Sequence, residues 1–360
     1  MKVLHVGAGR YLYGGAQQVV WLNEGLARRG VENVLVCPDR SDIAAAVGDN
    51  ACVYEVGMSG DLDVGVVPRL IRILKKEQPD IVHIHSRRGA DIYGGLAARV
   101  MGIPAILSRR VDNRESRLLA PLKYALYCRV IVISKAIGSV LVSGGIDASK
   151  IETVRSAVDA DAYNNEADNH WFETEFSLPS NAKTLGVIAQ LIPRKGHKYL
   201  LNSLPELLQA HPELQVLIFG QGPLKAELTN RVALTEFQGR VKMAGFRDDL
   251  ARIFPNLYAV VHPAEREGLG VALLQASASG VPVVAARAGG IPEIVLDDVN
   301  GITFDIGDEP GLLGALDALL ANQELRNTLG AGGRTLARSE FSIDAMVEGN
   351  LRVYQSVLGS

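Results

Sequence analysis

With 360 residues, 48% of them apolar and 21% charged, the chain holds core-forming material for two domains, which excludes a single small module and a largely disordered chain. No stretch approaches eighteen uninterrupted apolar residues, so no membrane-spanning helix is expected, and the glycine-broken start MKVLHVGAGR reads against a secretory signal. The net charge of −3 is uneven: residues 1–160 carry 21 Lys and Arg against 16 Asp and Glu, and the remainder carries 16 against 24.

Lys2–Val6 reads as an apolar strand, followed by a helix over 17–29 with a basic end and Gly30 as its stop. Strand patterns recur at 34–37, 80–85, 105–108 and 130–134, separated by helical patterns at 68–77, Ala90–Met101 and within 116–127. Continuously apolar strands bracketed by helices predict a parallel sheet covered on both faces. The polar stretch 158–169, rich in Asp and Asn, reads as a linker. Beyond it, strands are expected at 184–189, 215–219, 241–244, Ala259–His262 and 281–285. Helices are expected at His197–Ala210, 224–234, 250–254, 272–279 and 310–321. The final segment, 342–360, predicts a helix that returns to the first domain. The fold class is therefore α/β, with two doubly wound, Rossmann-like domains at 1–163 and 164–341 whose carboxyl strand ends face a central cleft.

Three scattered cysteines, Cys37, Cys52 and Cys128, fit a reducing cytoplasmic setting with neither disulfide nor zinc. Gly7 and Gly9 follow the first strand, but Leu12 stands where a dinucleotide fingerprint needs its third glycine; glycines return at Gly14 and Gly15. This loop is either a structural turn or a close approach to a ligand. Alternation along 80–85 puts His83 and His85 on one face, with His85 nearer the carboxyl end. Three readings stay open there: a metal pair, a packed pair, and a His85 that touches substrate. No further ligand pattern accompanies the two, so no metal is expected. Arg87, Arg88, Arg109 and Arg110 follow two consecutive strands and suit bidentate contacts to an anionic acceptor or lipid headgroup, or form a solvated rim. The segment 116–129, with Lys123, Tyr124, Tyr127 and Arg129 among leucines, either lies on an anionic inner-membrane surface or is ordinary core.

In the second half, Gln190, Arg194 and Lys195 leave a strand and enter a helix, which delivers Lys195 as a compact positive charge suited to a diphosphate. Gly220, Gly245 and Phe246 mark further strand-end loops on the same edge. The stretch from His262 carries Glu267 and Gly268 into a helix that starts near Gly270 and Val271, where free N–H groups make an anion site.

In order and across both halves, these residues resemble the retaining, nucleotide-sugar-dependent glycosyltransferases of family four, with the GT-B fold. The matches are Gly14 to Gln17, 80–86, 190–196, 220–223, Gly245 with Phe246, Glu267 to Gly270, 280–285 and 289–293. The resemblance implies a nucleoside diphosphate sugar donor, UDP- or GDP-linked, and no separate cofactor. It implies a glycan or lipid-linked acceptor of the lipopolysaccharide or polysaccharide kind, with peripheral attachment at the inner membrane face and no nucleic-acid partner. It gives Lys195 and the N–H groups of Leu269, Gly270 and Val271 to the diphosphate, Glu267 and His85 to the donor sugar, and Gly15 to the loop over the phosphates. Retention is thought to proceed by front-face attack, so no protein nucleophile is named. Two positions depart from the family pattern. Gln275 replaces its second glutamate and Gln190 its arginine, which predicts weaker nucleotide binding and more phosphate charge on Lys195. A nicotinamide-dependent oxidoreductase, suggested by Gly7, Gly9 and Asp39, and a nucleotide-sugar epimerase are the competing readings, together with a non-catalytic binder.

Overall fold

A computed structural model describes residues 1–12, 14–85, 89–116, 118–237 and 239–359. The chain divides into two compact units, one formed by residues 1–157 with the helix Ile343–Leu358, the other by residues 158–342.

The first unit carries seven strands: β1 (Lys2–Val6), β2 (Glu32–Pro38), β3 (Cys52–Val56), β4 (Ile81–Ile84), β5 (Ala105–Arg109), β6 (Arg129–Val132) and β7 (Ile151–Thr153). They pair in parallel in the order β3-β2-β1-β4-β5-β6-β7. That order reverses direction between β1 and β4, the switch point at which open α/β sheets offer their carboxyl ends to ligands. Val3, Ile81, Ile106 and Ile131 cover one face and pack with Leu22 and Leu26 of the helix Gly14–Ala27 and with Met346, Val347, Val353 and Tyr354 of the last helix. Gln18 ties the same helix to the end of the unit, donating to the Ala157 carbonyl at 2.8 Å and accepting from its N–H at 2.7 Å.

The second unit has six strands: β8 (Lys183–Ile188), β9 (Leu214–Phe219), β10 (Val241–Gly245), β11 (Ala259–His262), β12 (Val283–Ala286) and β13 (Gly301–Phe304). Again all pairs are parallel, in the order β10-β9-β8-β11-β12-β13. Leucines at 200, 204, 207 and 208 of His197–Ala210 and at 312, 316 and 319 of Glu309–Ala321 recur at helical spacing and close over Leu185, Val187, Val216 and Ile218.

Several elements differ from the sequence reading. The edge strands β3, β7 and β13 are not among the expected ones: β7 has three residues of which one is apolar, and neither β3 nor β7 buries a residue. The polar stretch 158–169 belongs to the second unit: Asn165 donates to the Ala251 carbonyl, Tyr163 meets Phe254 edge-on, and a helix, Asn169–Glu175, starts behind the Asp168 cap. Among the described residues of 116–127 only Ala120–Tyr124 is helical. No helix among the described residues is long and apolar enough to cross a membrane.

Candidate active site

Because β8 is central in the second sheet, the loops leaving β8 to β12 emerge side by side along one edge. Backbone bonds join them. Leu191 N donates to Gln221 O at 2.9 Å, Gly220 N to Gly245 O at 2.8 Å, Glu265 N to Arg194 O at 2.9 Å and Gly290 N to Glu267 O at 3.0 Å. Gly196 makes the turn after Lys195 at φ 70°, and a Cβ there would stand 1.8 Å from the Pro263 carbonyl oxygen, so only glycine lets the β8 and β11 loops touch.

This contact brings Lys195 to Glu267. The lysine is buried, and its Nζ donates to Glu267 Oε2. His262 Nε2 bonds the same oxygen at 2.9 Å, and the Gly268 N–H donates to Oε1 at 3.0 Å. Burial by itself raises the Glu267 carboxyl; the His262 bond and the Lys195 charge outweigh it and hold the group far below the usual carboxylate range. Burial lowers His262 despite the carboxylate beside it, so the ring is neutral at pH 7 and carries its proton on Nε2. The resemblance assigns the lysine and the glutamate separate duties; the structure joins them directly.

Around this pair, Gln190 is exposed, Arg194 is half-buried, and Phe246 projects from the end of β10 with 58% of its surface open. Leu269 is buried and anchors the loop. Gly270, at φ 98°, opens the helix Val271–Ala278, which has no side-chain cap and no acidic residue in its first turn. Its leading N–H groups therefore remain available to an anion. Half-buried Gln275 stands one turn beyond Val271 on the same face.

In the first unit Gly14 and Gly15 begin the helix Gly14–Ala27, and a Cβ on Gly15 would lie 3.6 Å from Arg110 Cδ. Half-buried Arg110 donates to Ser156 Oγ at 3.3 Å, and burial lowers its guanidinium to about 10. His85 follows β4 directly. Arg87 and Arg88 lie outside the described residues.

Arg109 is a correction. It is 2% exposed and committed to Glu115 Oε1 at 2.7 Å and to the Asn113 carbonyl at 2.7 Å, so it holds the loop after β5 and offers an acceptor no open face. The 116–129 segment divides between its two readings. Lys123 pairs with Asp91 and Glu115, and Tyr124 and Tyr127 are buried, whereas Leu118, Leu119 and Leu122 are 84%, 67% and 70% exposed.

The structure adds residues that the sequence reading passes over. His5 of β1 lies in register with His83 of β4, and one nitrogen from each of His5, His83 and His85 falls within 4.8 Å of the others, a spacing that suits a metal ion. Hydrogen bonds nonetheless occupy most of these nitrogens. His5 bonds His85 and Asn33, and His83 bonds Tyr354 and Ser108. Burial depresses all three rings, His5 to about 4 and the other two well below the ordinary value. In the second unit His197 is buried beside Lys195, lowered to about 4, with neither nitrogen bonded among the described residues. The signal for His5 is present in the chain: in a doubly wound sheet the first strand neighbours the fourth.

Two parallel-sheet units with this loop set define the GT-B class of glycosyltransferases, and the comparisons agree. The family model for glycosyl transferases group 1 matches residues 172–336, and that for glycosyltransferase family 4 matches residues 13–162. The sulfoquinovosyl transferase SQD2 of Arabidopsis thaliana is 29% identical over 295 residues, 76% of this chain and 56% of the relative. The lipopolysaccharide core biosynthesis glycosyltransferase LpsE of Rhizobium meliloti is 25% identical over 375 residues, 99% of each chain. The Anabaena protein HepE, solved in complex with UDP and glucose, superposes with a TM-score of 0.83 at 18% identity, over 99% of this chain and 100% of that one. The chain belongs to the family-four glycosyltransferases and is a glycosyltransferase enzyme.

Proposed function

We propose that the protein transfers a glycosyl group, with retention of configuration, from a nucleoside diphosphate sugar held by the second unit to a glycan or lipid-linked acceptor held by the first. The observation that carries this reading is the buried Lys195 and Glu267 pair on the same sheet edge as the uncapped helix after Gly270. Lys195 and the N–H groups of Gly270 and Val271 stabilise the departing diphosphate, while Glu267 keeps His262 and Gly268 as partners and turns to the sugar. Gly220, Gly245, Phe246 and Gln275 line the nucleotide side, with Gln190 and Arg194 beside them. His85, Gly14 and Gly15 belong to the sugar and phosphate side in the first unit. HepE binds UDP and glucose, which supports a nucleotide-sugar donor here.

A melting screen against UDP, GDP, ADP, their sugars and NAD tests the donor. One nucleoside diphosphate at about a hundred times its Kd should stabilise the protein by about 2.7 kcal/mol, and NAD should leave it unchanged. Stabilisation by NAD alone would return the oxidoreductase reading, and turnover of donor without acceptor would return the epimerase.

For the acceptor side, LpsE acts in lipopolysaccharide core biosynthesis, which supports a lipid-linked or polysaccharide acceptor at the inner membrane face. Leu118, Leu119 and Leu122 with exposed Arg114 are the surface that would meet such a membrane. Vesicles containing phosphatidylglycerol should retain the protein at low salt, and Leu119→Asp with Leu122→Asp should release it. Equal recovery in the supernatant with and without vesicles argues for a small soluble acceptor instead.

A further inference from the structure

The buried histidines of the first unit form a directed chain whose polarity can be read from its far end. Asn33, in β2, is 6% exposed, and its Nδ2 donates to two backbone carbonyls, Asn23 O at 2.9 Å and Asn50 O at 3.1 Å. A carbonyl can only accept, so the amide cannot be turned round without setting oxygen against oxygen, and Oδ1 must face His5. His5 Nε2, 3.4 Å from that oxygen, must then carry the proton. A neutral imidazole has one N–H, and burial keeps His5 neutral, so its Nδ1 is bare. His85 Nε2 lies 2.9 Å from that bare nitrogen and must donate to it. What remains is His85 Nδ1, buried and without a hydrogen-bond partner among the described residues. The ring itself is 7% exposed.

We propose that Asn33 and His5 are positioning residues that lock His85 in the Nε2–H tautomer, so that its Nδ1 presents a lone pair and selects a hydroxyl group, which can donate, over a phosphate oxygen, which cannot. The recognition of a sugar hydroxyl rests on the reading of His85 given above; the tautomer chain stands without it. His83 runs alongside, its ring centroid 3.8 Å from that of His85, and is held by Tyr354 and Ser108, whose hydroxyls donate or accept as needed and so impose no direction. Burial first, and then the neighbouring His83, His5 and Arg110, disfavour a second proton on His85. A bare acceptor beside an arginine suits a polyol carrying a phosphate better than either group alone.

The test is the long-range proton–nitrogen correlation spectrum of the full chain labelled with nitrogen-15 histidine, at pH 7.5, where protonated and bare ring nitrogens resonate far apart. In the wild-type protein His85 and His5 should each show a protonated Nε2 and a bare Nδ1. Asn33→Leu removes the acceptor that orients His5, and His5→Phe removes the acceptor of His85. In each the Nδ1–H form of His85 should rise from a trace to a population comparable with the other. A role confined to packing would lower the melting temperature and leave the tautomer as it was. A wild-type His85 protonated at Nδ1 overturns the proposal without any variant, and an unchanged tautomer in both variants overturns it too. The nucleotide melting screen reads only the second unit, so failure there and failure here are separate results.

Discussion

Lys195→Ala is expected to lower kcat/KM by about 10²–10³, the loss that follows removal of one preorganised group from a developing anion. It should also weaken nucleoside diphosphate binding. Glu267→Gln should lower transfer to a similar degree while leaving diphosphate binding intact or tighter. The opposite signs follow from the pairing. In the wild-type protein Lys195 is already engaged by Glu267, so a diphosphate must share the lysine with a carboxylate of the same sign as itself. A neutral glutamine keeps the shape, still accepts from Lys195 and His262, and releases the full lysine charge to the phosphates. Removing the lysine instead leaves a carboxylate next to the incoming anion. Glu267 retains His262 and Gly268 as donors in Lys195→Ala, so the stability loss should stay below the 3–5 kcal/mol typical of a broken buried pair. Isothermal titration with the diphosphate found in the melting screen, beside initial rates and melting temperatures, separates the effects. Wild-type transfer in both variants, or a shared loss of diphosphate affinity, contradicts the assignment of the site.

Which parts of this site are legible in the chain depends on how far apart their partners lie. Strand-end loops announce themselves locally: an apolar run, then glycine, then a helix. For that reason residue order alone puts 190–196 and 262–271 on one edge. The pairing of Lys195 with Glu267 spans 72 residues and depends on Gly196 letting two loops touch, a contact no spacing rule contains. Arg109 misleads for the same reason. A strand-end arginine looks like an anion receptor until Glu115 and Asn113 are seen to enclose it. Alternation singles out His83 and His85, but the directionality of His85 comes from Asn33 through His5, on two other strands. The edge strand β7 escapes because only one of its three residues is apolar, whereas β3, apolar at four of five positions, carries a strand signal of its own.

Acidification from pH 7 to 5 should destabilise both units of the protein. Five of its seven histidines, His5, His83, His85, His197 and His262, are buried and lowered from 6.5, chiefly by desolvation. Between 6.5 and the folded values, about 4 for His5 and His197, the unfolded chain binds protons that the folded chain refuses, so stability falls as the pH falls. Each proton of difference is worth about 1.4 kcal/mol per pH unit. His5 in the first unit and His197 in the second each contribute a slope of about 1.4 kcal/mol per pH unit, and the lowered His83, His85 and His262 act in the same direction. Falling from 6.5 to 5, His5 and His197 each remove about 2 kcal/mol from their unit, a sizeable share of a domain's stability. Glu267 acts in the same direction only below about 4.5, where its depressed value begins to matter. The two tryptophans, Trp21 in the first unit and Trp171 in the second, report the units separately in urea titrations of single-tryptophan variants. His197→Leu should lower the second unit's slope by about 1.4 kcal/mol per pH unit, with the first unit's slope unchanged. Urea midpoints that stay level from pH 7 to 5 would mean that these rings accept protons in the folded state, and with that the neutral chain from Asn33 to His85 would lose its direction.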